Sequence, residues 1–217
     1  MTQTRIKICG ITTADDARTA VDLGADAIGL VFYARSPRGV TAQQAQQIAA
    51  AVPPFVTIVG LFVDEPVDSI KRILSSVPVD LVQFHGDEPP AFCQQFGRPW
   101  IKALRVRPGV ELETLCKDYQ AGRGILLDSW QDGVPGGTGK SFDWDLAART
   151  LPLPLVLAGG LNDSNVGEAI ARLRPAAVDV SGGVERVPGV KDSGKIERFV
   201  AAVRAADAII NGAVDDK

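Results

Sequence analysis

The sequence contains few of the residues that build disulfide frameworks and metal sites. Its 217 residues include three cysteines and a single histidine. The cysteines at positions 9, 93 and 116 are odd in number, and no two of them have the spacing of paired metal ligands. We therefore expect no disulfide framework, no zinc site and no other metal ion.

The chain also lacks a strong charge of either sign and any long apolar run. Its formal net charge of −3 gives no reason to expect nucleic acid or an anionic membrane surface as a partner. Residues 1–16 show no apolar core typical of a signal peptide, and no apolar run approaches the length of a membrane span. These features predict a cytoplasmic protein in which local groups bind any anionic substrate.

The sequence does contain a regular alternation of short apolar runs and longer polar stretches. Short runs rich in Val, Ile, Leu and Phe are followed by polar stretches whose apolar residues have helical spacing. The apolar runs predict strands at residues 5–9, 27–32, 56–62, 81–84, 100–104, 124–128, 155–158 and 177–180. The stretches between them predict helices at residues 13–23, 41–52, 66–75, 88–96, 111–119, 142–149, 164–173 and 193–210.

This series of strand–helix pairs, with no linker between them, predicts one α/β domain over residues 1–217. Continuous apolar strands are typical of a parallel sheet that is covered on both faces. The count favours a closed (β/α)8 TIM barrel, with an open doubly wound sheet as the alternative. Because active sites of such barrels lie at the C-terminal ends of the strands, we expect the chemistry there.

Polar side chains lie near the C-terminal ends of several predicted strands, in the phase of the alternation that faces the barrel interior. A barrel interior is normally filled by branched aliphatic residues, so a lysine, a thiol, an imidazole and carboxylates at one rim indicate a function. These polar residues are Lys7, Cys9, Gln83, His85, Asp128, Asp179 and Ser181.

Four of these residues also have a purely structural interpretation. Cys9 could be a small buried apolar residue, since cysteine is among the residues most often buried. Asp128 could cap the loop that follows it, and His85 could be a hydrogen-bonded structural residue. Lys7 could be the ion-pair partner of a neighbouring strand.

A phosphate site is predicted after the last two strands. Gly159 and Gly160 follow the seventh strand, and Ser181, Gly182 and Gly183 follow the eighth. At these positions TIM barrels often bind phosphate, because glycines allow backbone N–H groups to approach the anion closely. Two tight turns without a ligand are the structural alternative.

The stretch GGTGKS at residues 136–141 looks like a nucleotide-binding P-loop. That motif places four residues between its first glycine and Gly-Lys-Ser, which puts the first glycine at position 134, where the chain has Val134. The mismatch argues against a nucleotide hydrolase. We expect the long segment 129–141 to cover the barrel rim, where Lys140 could approach a substrate.

Phrases along the whole chain resemble the phosphoribosylanthranilate isomerase family of tryptophan biosynthesis, and their order and spacing make the resemblance specific. They are KICGIT at residues 7–12, GLVF at 29–32, SPR at 36–38, VGLFV at 59–63, QFHG at 83–86, LD at 127–128, GGTGK at 136–140, FDW at 142–144, LAGGL at 157–161, DVSGGVE at 179–185 and PGVKD at 188–192. The chain departs from the family at Gly182, where a second serine is usual, so only a backbone contact to phosphate would remain there.

The resemblance implies an Amadori rearrangement of N-(5-phosphoribosyl)anthranilate to 1-(2-carboxyphenylamino)-1-deoxyribulose 5-phosphate, without a metal or organic cofactor. It implies that Asp128 is the general acid and Cys9 the general base. It also implies that Arg38 binds the carboxylate of the anthranilate and that the two glycine loops bind the phosphate.

Three further residues are expected to contribute to substrate binding. The Lys7 ammonium beside Cys9 would favour the thiolate that a base requires. Asp179 would contact a ribose hydroxyl, and His85 is placed at the same rim by its strand.

Two other functions remain open at this level. The sister isomerase of histidine biosynthesis catalyses the same type of rearrangement, but it uses a carboxylate where this chain has Cys9. A non-catalytic phosphate-binding barrel would bind the ligand without turnover. The sequence also leaves open whether the protein is a monomer or a homodimer.

Overall fold

The computed structural model describes residues 3–106, 112–129 and 151–215. Eight parallel strands form a closed barrel in chain order. They are β1 Arg5–Cys9, β2 Ala27–Phe32, β3 Thr57–Phe62, β4 Leu81–Phe84, β5 Trp100–Val106, β6 Ile125–Ser129, β7 Leu155–Leu157 and β8 Ala177–Val180. The helices are α1 Ala14–Asp22, α2 Ala42–Ala49, α3 Val67–Ser76, α4 Pro90–Cys93, α5 Leu112–Asp118, α6 Val166–Leu173 and α7 Ser193–Asp215.

The predicted (β/α)8 barrel is confirmed. Because β1 pairs in parallel with both β2 and β8, the sheet has no open edge between them, and the doubly wound alternative is wrong. The helix predicted at residues 142–149 lies outside the described residues, as do residues 130–141 of the rim segment, including Lys140.

Local signals in the sequence explain where the first two helices begin. The side chain of Thr13 accepts a hydrogen bond from the Asp16 amide, so it caps the N-terminus of α1. Thr41 and Gln44 form a reciprocal capping box at the start of α2. Helix α1 ends before Gly24, whose φ of 104° favours glycine.

The alternation of side chains along each strand divides the apolar core into an outer layer and the barrel interior. On β1, Ile6 and Ile8 face outward into the large cluster between strands and helices, as predicted. Cys9 faces the interior, where it packs against Val31 and Leu61. The strand therefore presents its polar phase to the inside of the barrel.

A small β-hairpin lies between β8 and the last helix. A 3-10 turn at Gly182–Val184 leads into β9 Glu185–Val187, which pairs antiparallel with β10 Val190–Lys191. Lys191 lies opposite Glu185 in this pairing. The hairpin was not predicted from the sequence, because strands of two and three residues are too short to show an alternation.

None of the helices in the described part of the chain has both the length and the apolar character that a membrane span requires. The cytoplasmic location stays a prediction.

Candidate active site

A cavity of about 400 Å³ lies at the C-terminal ends of the barrel strands. It is lined by all of the predicted site residues except Lys7, namely Cys9, Arg38, His85, Asp128, Gly159, Gly160, Asp179, Ser181, Gly182 and Gly183. The strand ends that are far apart in the sequence thus meet at one rim, as expected for this fold.

Lys7 lies on β1 two residues before Cys9, on the same inward-facing side of the strand. It is opposite Asp179 in the β1–β8 register, and its Nζ donates to Asp179 Oδ2 at 2.9 Å. Both side chains are buried. Lys7 thus forms the ion pair with a neighbouring strand that its structural interpretation predicts, and it does not line the cavity. A role of Lys7 in substrate binding stays a prediction.

Burial dominates the protonation of Cys9. It raises the pKa of the thiol above its ordinary value, the Lys7 ammonium acts in the opposite direction, and the Asp179 carboxylate adds to the rise. The Lys7 ammonium acts in the hypothesised direction, toward the thiolate, but burial outweighs it and the pKa of Cys9 is raised overall.

A chain of hydrogen bonds leads from β4 to the carboxyl group of Asp128. The amide Nε2 of Gln83 is 2.9 Å from His85 Nδ1, and His85 Nε2 is 3.1 Å from Asp128 Oδ2. An amide nitrogen can only donate, so Nδ1 accepts and a neutral His85 carries its proton on Nε2. His85 Nε2 therefore donates to Asp128 Oδ2, which fixes the orientation of the carboxyl group.

Arg38 has a protein partner that the sequence did not reveal. Its Nε and Nη2 donate to the two carboxylate oxygens of Glu185 at 2.8 and 2.7 Å. These hydrogen bonds are the largest cause of a raised pKa for Arg38. The guanidinium is therefore held in a bidentate pair at the wall of the cavity.

The two glycine loops lie against each other. Gly159 and Gly160 have φ angles of 83° and 67°, which favour glycine. A Cβ on Gly183 would lie 2.0 Å from the carbonyl oxygen of Leu161, so only glycine fits where the loop after β8 crosses the loop after β7. This close approach brings both predicted phosphate loops to one side of the cavity.

Three buried polar atoms lack a hydrogen-bond partner among the described residues. They are Gln83 Oε1, Asp179 Oδ1 and Ser181 Oγ. All three residues line the cavity at the C-terminal ends of the strands. Because leaving a buried polar group unpaired costs free energy, their clustering indicates a site that a polar ligand would complete.

Other parts of this site were missed by the sequence analysis. Glu185 and Lys191 form a buried ion pair with an Nζ–Oε1 distance of 2.8 Å. Both lie in phrases that carried the family resemblance, which was the available signal. Val31, Leu61 and Val63 form an apolar wall of the cavity next to Cys9.

Among the residues that the structure describes, no group of three or more His, Cys, Asp or Glu side chains is placed to hold a metal ion.

Comparison with known proteins identifies relatives along nearly the whole chain. The family model N-(5'phosphoribosyl)anthranilate (PRA) isomerase matches residues 6–202. The N-(5'-phosphoribosyl)anthranilate isomerase of Pseudomonas putida (strain W619) is 59% identical over 206 residues, which cover 95% of this chain and 100% of the relative.

Two crystal structures are similar in fold and sequence. A phosphoribosyl anthranilate isomerase in complex with reduced 1-(o-carboxyphenylamino)-1-deoxyribulose 5-phosphate has a TM-score of 0.82 and 39% identity, over 94% of this chain and 100% of the other. Monomers generated from the dimeric enzyme of Thermotoga maritima have a TM-score of 0.82 and 38% identity, with the same coverage of 94% and 100%.

Proposed function

The chain belongs to the N-(5'-phosphoribosyl)anthranilate isomerase family, an isomerase of tryptophan biosynthesis, and we propose that it uses Asp128 as general acid and Cys9 as general base. One observation carries this assignment. A single cavity brings a thiol, a carboxyl group, a paired arginine and two glycine loops to the same rim. The ligand of the related complex contains both a carboxylate and a phosphate, which these groups would bind.

In the first step, Asp128 gives a proton to the ring oxygen of the phosphoribosyl group. The bond between that oxygen and C1 breaks, and the nitrogen lone pair forms a C1=N double bond, which gives an open-chain iminium ion. The Asp128 carboxylate left behind is stabilised by the Nε2–H of His85, 3.1 Å away.

In the second step, Cys9 takes the proton from C2. The electrons of the C–H bond form a C1=C2 double bond, and those of the C=N bond return to nitrogen, giving an enolamine. The Asp128 carboxylate then takes the proton of the 2-hydroxyl group and the Cys9 thiol gives a proton to C1, which yields the ketone and restores the starting protonation of both residues. The positive charge of the iminium ion acidifies C2 and favours a nearby thiolate, which offsets the effect of burial on Cys9.

The remaining residues bind and orient the substrate. The loops at Gly159–Gly160 and Ser181–Gly183 bind the phosphate through backbone N–H groups and the unpaired Ser181 hydroxyl. Arg38 binds the carboxylate, and the anthranilate ring packs on the apolar wall. Asp179 Oδ1 accepts a hydrogen bond from a ribose hydroxyl, which would satisfy its buried oxygen.

A direct assay tests the function. The labile substrate is generated in situ from anthranilate and phosphoribosyl pyrophosphate with a phosphoribosyltransferase, and the loss of its fluorescence is followed after the chain is added. We expect turnover, together with growth of a tryptophan auxotroph that carries the chain but no growth of a histidine auxotroph. Growth of the histidine auxotroph alone would support the sister isomerase, and ligand binding without turnover would support the phosphate-binding barrel.

Of the two assembly states open from the sequence, we propose the homodimer. Phe55, between α2 and β3, has a fully exposed side chain and a φ of 71°, which is unusual for a bulky residue. It borders a second cavity of about 390 Å³ at the N-terminal end of the barrel. A protruding aromatic side chain beside a cavity is the self-complementary surface that a two-fold interface requires, and the related enzyme of Thermotoga maritima is dimeric.

Sedimentation equilibrium tests the dimer. We expect the parent at twice the chain mass of 23.0 kDa and the Phe55→Lys variant at the chain mass. Ile209→Lys removes another exposed apolar side chain, on α7, and should leave the dimer intact. A monomeric parent would contradict the proposal.

A further inference from the structure

A buried lysine outside the barrel connects three parts of the candidate site. Lys191 lies on β10, and its side chain is 1% exposed. Its Nζ donates to the carbonyl oxygen of Cys9 at 2.6 Å, to Glu185 Oε1 at 2.8 Å and to the carbonyl oxygen of Ser181 at 3.3 Å. An ammonium group has three N–H donors, so these three acceptors use all of them.

The hydrogen bond from Lys191 to the Ser181 carbonyl also orients a peptide of the predicted phosphate loop. The peptide between Ser181 and Gly182 is planar, and its C=O and N–H point in opposite directions. Because the C=O points toward Lys191, the Gly182 N–H points away from Lys191. Gly182 itself lines the cavity.

Glu185 carries the connection from Lys191 to Arg38. The pairing of β9 with β10 places Glu185 opposite Lys191, and its 4% exposed carboxylate accepts from both cations. Burial alone would raise the pKa of Glu185, but the hydrogen bonds and charges of Arg38 and Lys191 outweigh it and lower that pKa. Glu185 is therefore an anion at neutral pH, held between two cations.

This pairing determines which donors of Arg38 remain for a ligand. The guanidinium has five N–H donors, and Glu185 takes one from Nε and one from Nη2. The two N–H groups of Nη1 and the second of Nη2 form the end of the fork. The alkyl part of Arg38 packs over Gly10, where a Cβ would lie 2.5 Å from Arg38 Cδ, so the stem as well as the head of this side chain is fixed.

The charges of this cluster sum to a single positive charge. Burial lowers the pKa of Lys191 while the Glu185 carboxylate opposes that fall, and the three short contacts of its Nζ are those of an ammonium. Arg38 and Lys191 are then cations, and Glu185 neutralises one of them. A site with Arg38 and Glu185 alone would carry no net charge and would attract a carboxylate weakly. With Lys191 the cluster keeps one positive charge beside the cavity.

We propose that Glu185 and Lys191 are positioning residues of the substrate's carboxylate site. Glu185 orients the guanidinium of Arg38 so that its end-on fork receives the carboxylate in two parallel hydrogen bonds. Lys191 anchors Glu185 to the backbone of Cys9 and Ser181, which keeps the carboxylate site in register with the base and the phosphate loop. This inference rests on the function proposed above.

A pair of substrates separates this role from general structural support. N-(5-phosphoribosyl)anthranilate is compared with N-(5-phosphoribosyl)aniline, which lacks the carboxylate. We expect Glu185→Gln to lower kcat/KM for the anthranilate substrate about 10- to 100-fold, mainly through KM, because a loosened guanidinium loses its preorganisation. The same variant should change kcat/KM for the aniline substrate by less than about threefold.

The coupling between residues gives a second readout. Arg38→Met should show the same selective loss, and the double variant Arg38→Met/Glu185→Gln should lose no more than Arg38→Met alone, because Glu185 acts through Arg38. Lys191→Met should lower both kcat and the discrimination between the two substrates. Lys195→Met is the matched control, since Lys195 Nζ donates to the Glu185 carbonyl oxygen and not to its carboxylate, and it should leave the discrimination unchanged.

Equal losses of Glu185→Gln on both substrates, or additive losses in the double variant, would overturn the proposal. If Glu185→Gln fails to fold, Glu185→Asp keeps the charge but shortens the side chain, and it must still reduce the discrimination between the substrates. Absence of turnover by the parent on the anthranilate substrate would instead refute the proposed function.

Discussion

The Cys9→Ala variant should lower kcat by about a thousandfold while it still binds a product analogue, because an alanine cannot take the proton from C2. Cys9 is the thiol at the wall of the cavity, at the end of β1, where the reacting carbon would lie. Removal of a general base affects the transition state far more than the ground state, so KM should change little. Fluorescence assays of turnover and calorimetry of analogue binding provide the two measurements.

The other two cysteines supply matched controls. Cys93 and Cys116 are buried in α4 and α5, away from the cavity, and burial raises the pKa of their thiols to about 12 and about 11. Cys93→Ala and Cys116→Ala make the same chemical change without touching the rim, so kcat should stay within about threefold of the parent. A Cys9→Ala variant as active as these controls would rule out Cys9 as the base.

The pH dependence follows from the raised pKa of Cys9. A thiol whose pKa lies above its ordinary value is protonated at neutral pH, so kcat/KM, which reports the free enzyme, should rise with pH into the alkaline range. The thiolate absorbance of the parent, minus that of Cys9→Ser, measures the same ionisation without turnover. Lys7→Met should move this ionisation to higher pH, because the Lys7 ammonium opposes the effect of burial.

Asp128→Asn should lower kcat by about 10²- to 10⁴-fold, because the amide keeps the shape of the side chain but cannot give a proton to the ring oxygen. The remaining oxygen can still accept the hydrogen bond from His85 Nε2, so the local structure should persist. Substrate opening, rather than proton abstraction from C2, should become rate-limiting. A substrate deuterated at C2 would then show a smaller isotope effect in the variant than in the parent.

Asp80→Asn is the control for this substitution. Asp80 Oδ2 accepts a hydrogen bond from the Ile58 amide near the N-terminal end of β3, far from the cavity. Weakening this hydrogen bond should lower the free energy of unfolding without changing kcat. Near-parental turnover in Asp128→Asn would show that another group supplies the proton.

The sequence by itself determined the architecture because strand and helix patterns are local. Apolar runs and capping residues are read over a few positions, and most strand limits agreed within one or two residues, as for β1 at Arg5–Cys9 and β5, which extends to Val106. Once eight parallel strands close into a barrel, their C-terminal ends must share a rim. The positions of Cys9 and Asp128 in one cavity therefore followed from the order of the strands.

Only the tertiary structure decided how the charged groups pair. Lys7 and Asp179 are 172 positions apart and meet because β1 and β8 close the barrel with those residues in register. Arg38 and Glu185 are 147 positions apart and meet through a hairpin too short to show in the sequence.

Protonation likewise depends on burial, which no local pattern reports. The sequence placed a lysine beside Cys9 but contained no measure of the desolvation that outweighs it. The residue types at the rim could thus be predicted from the sequence alone. Their partners and charges depend on contacts between distant segments, since electrostatic interactions act through space and not along the sequence.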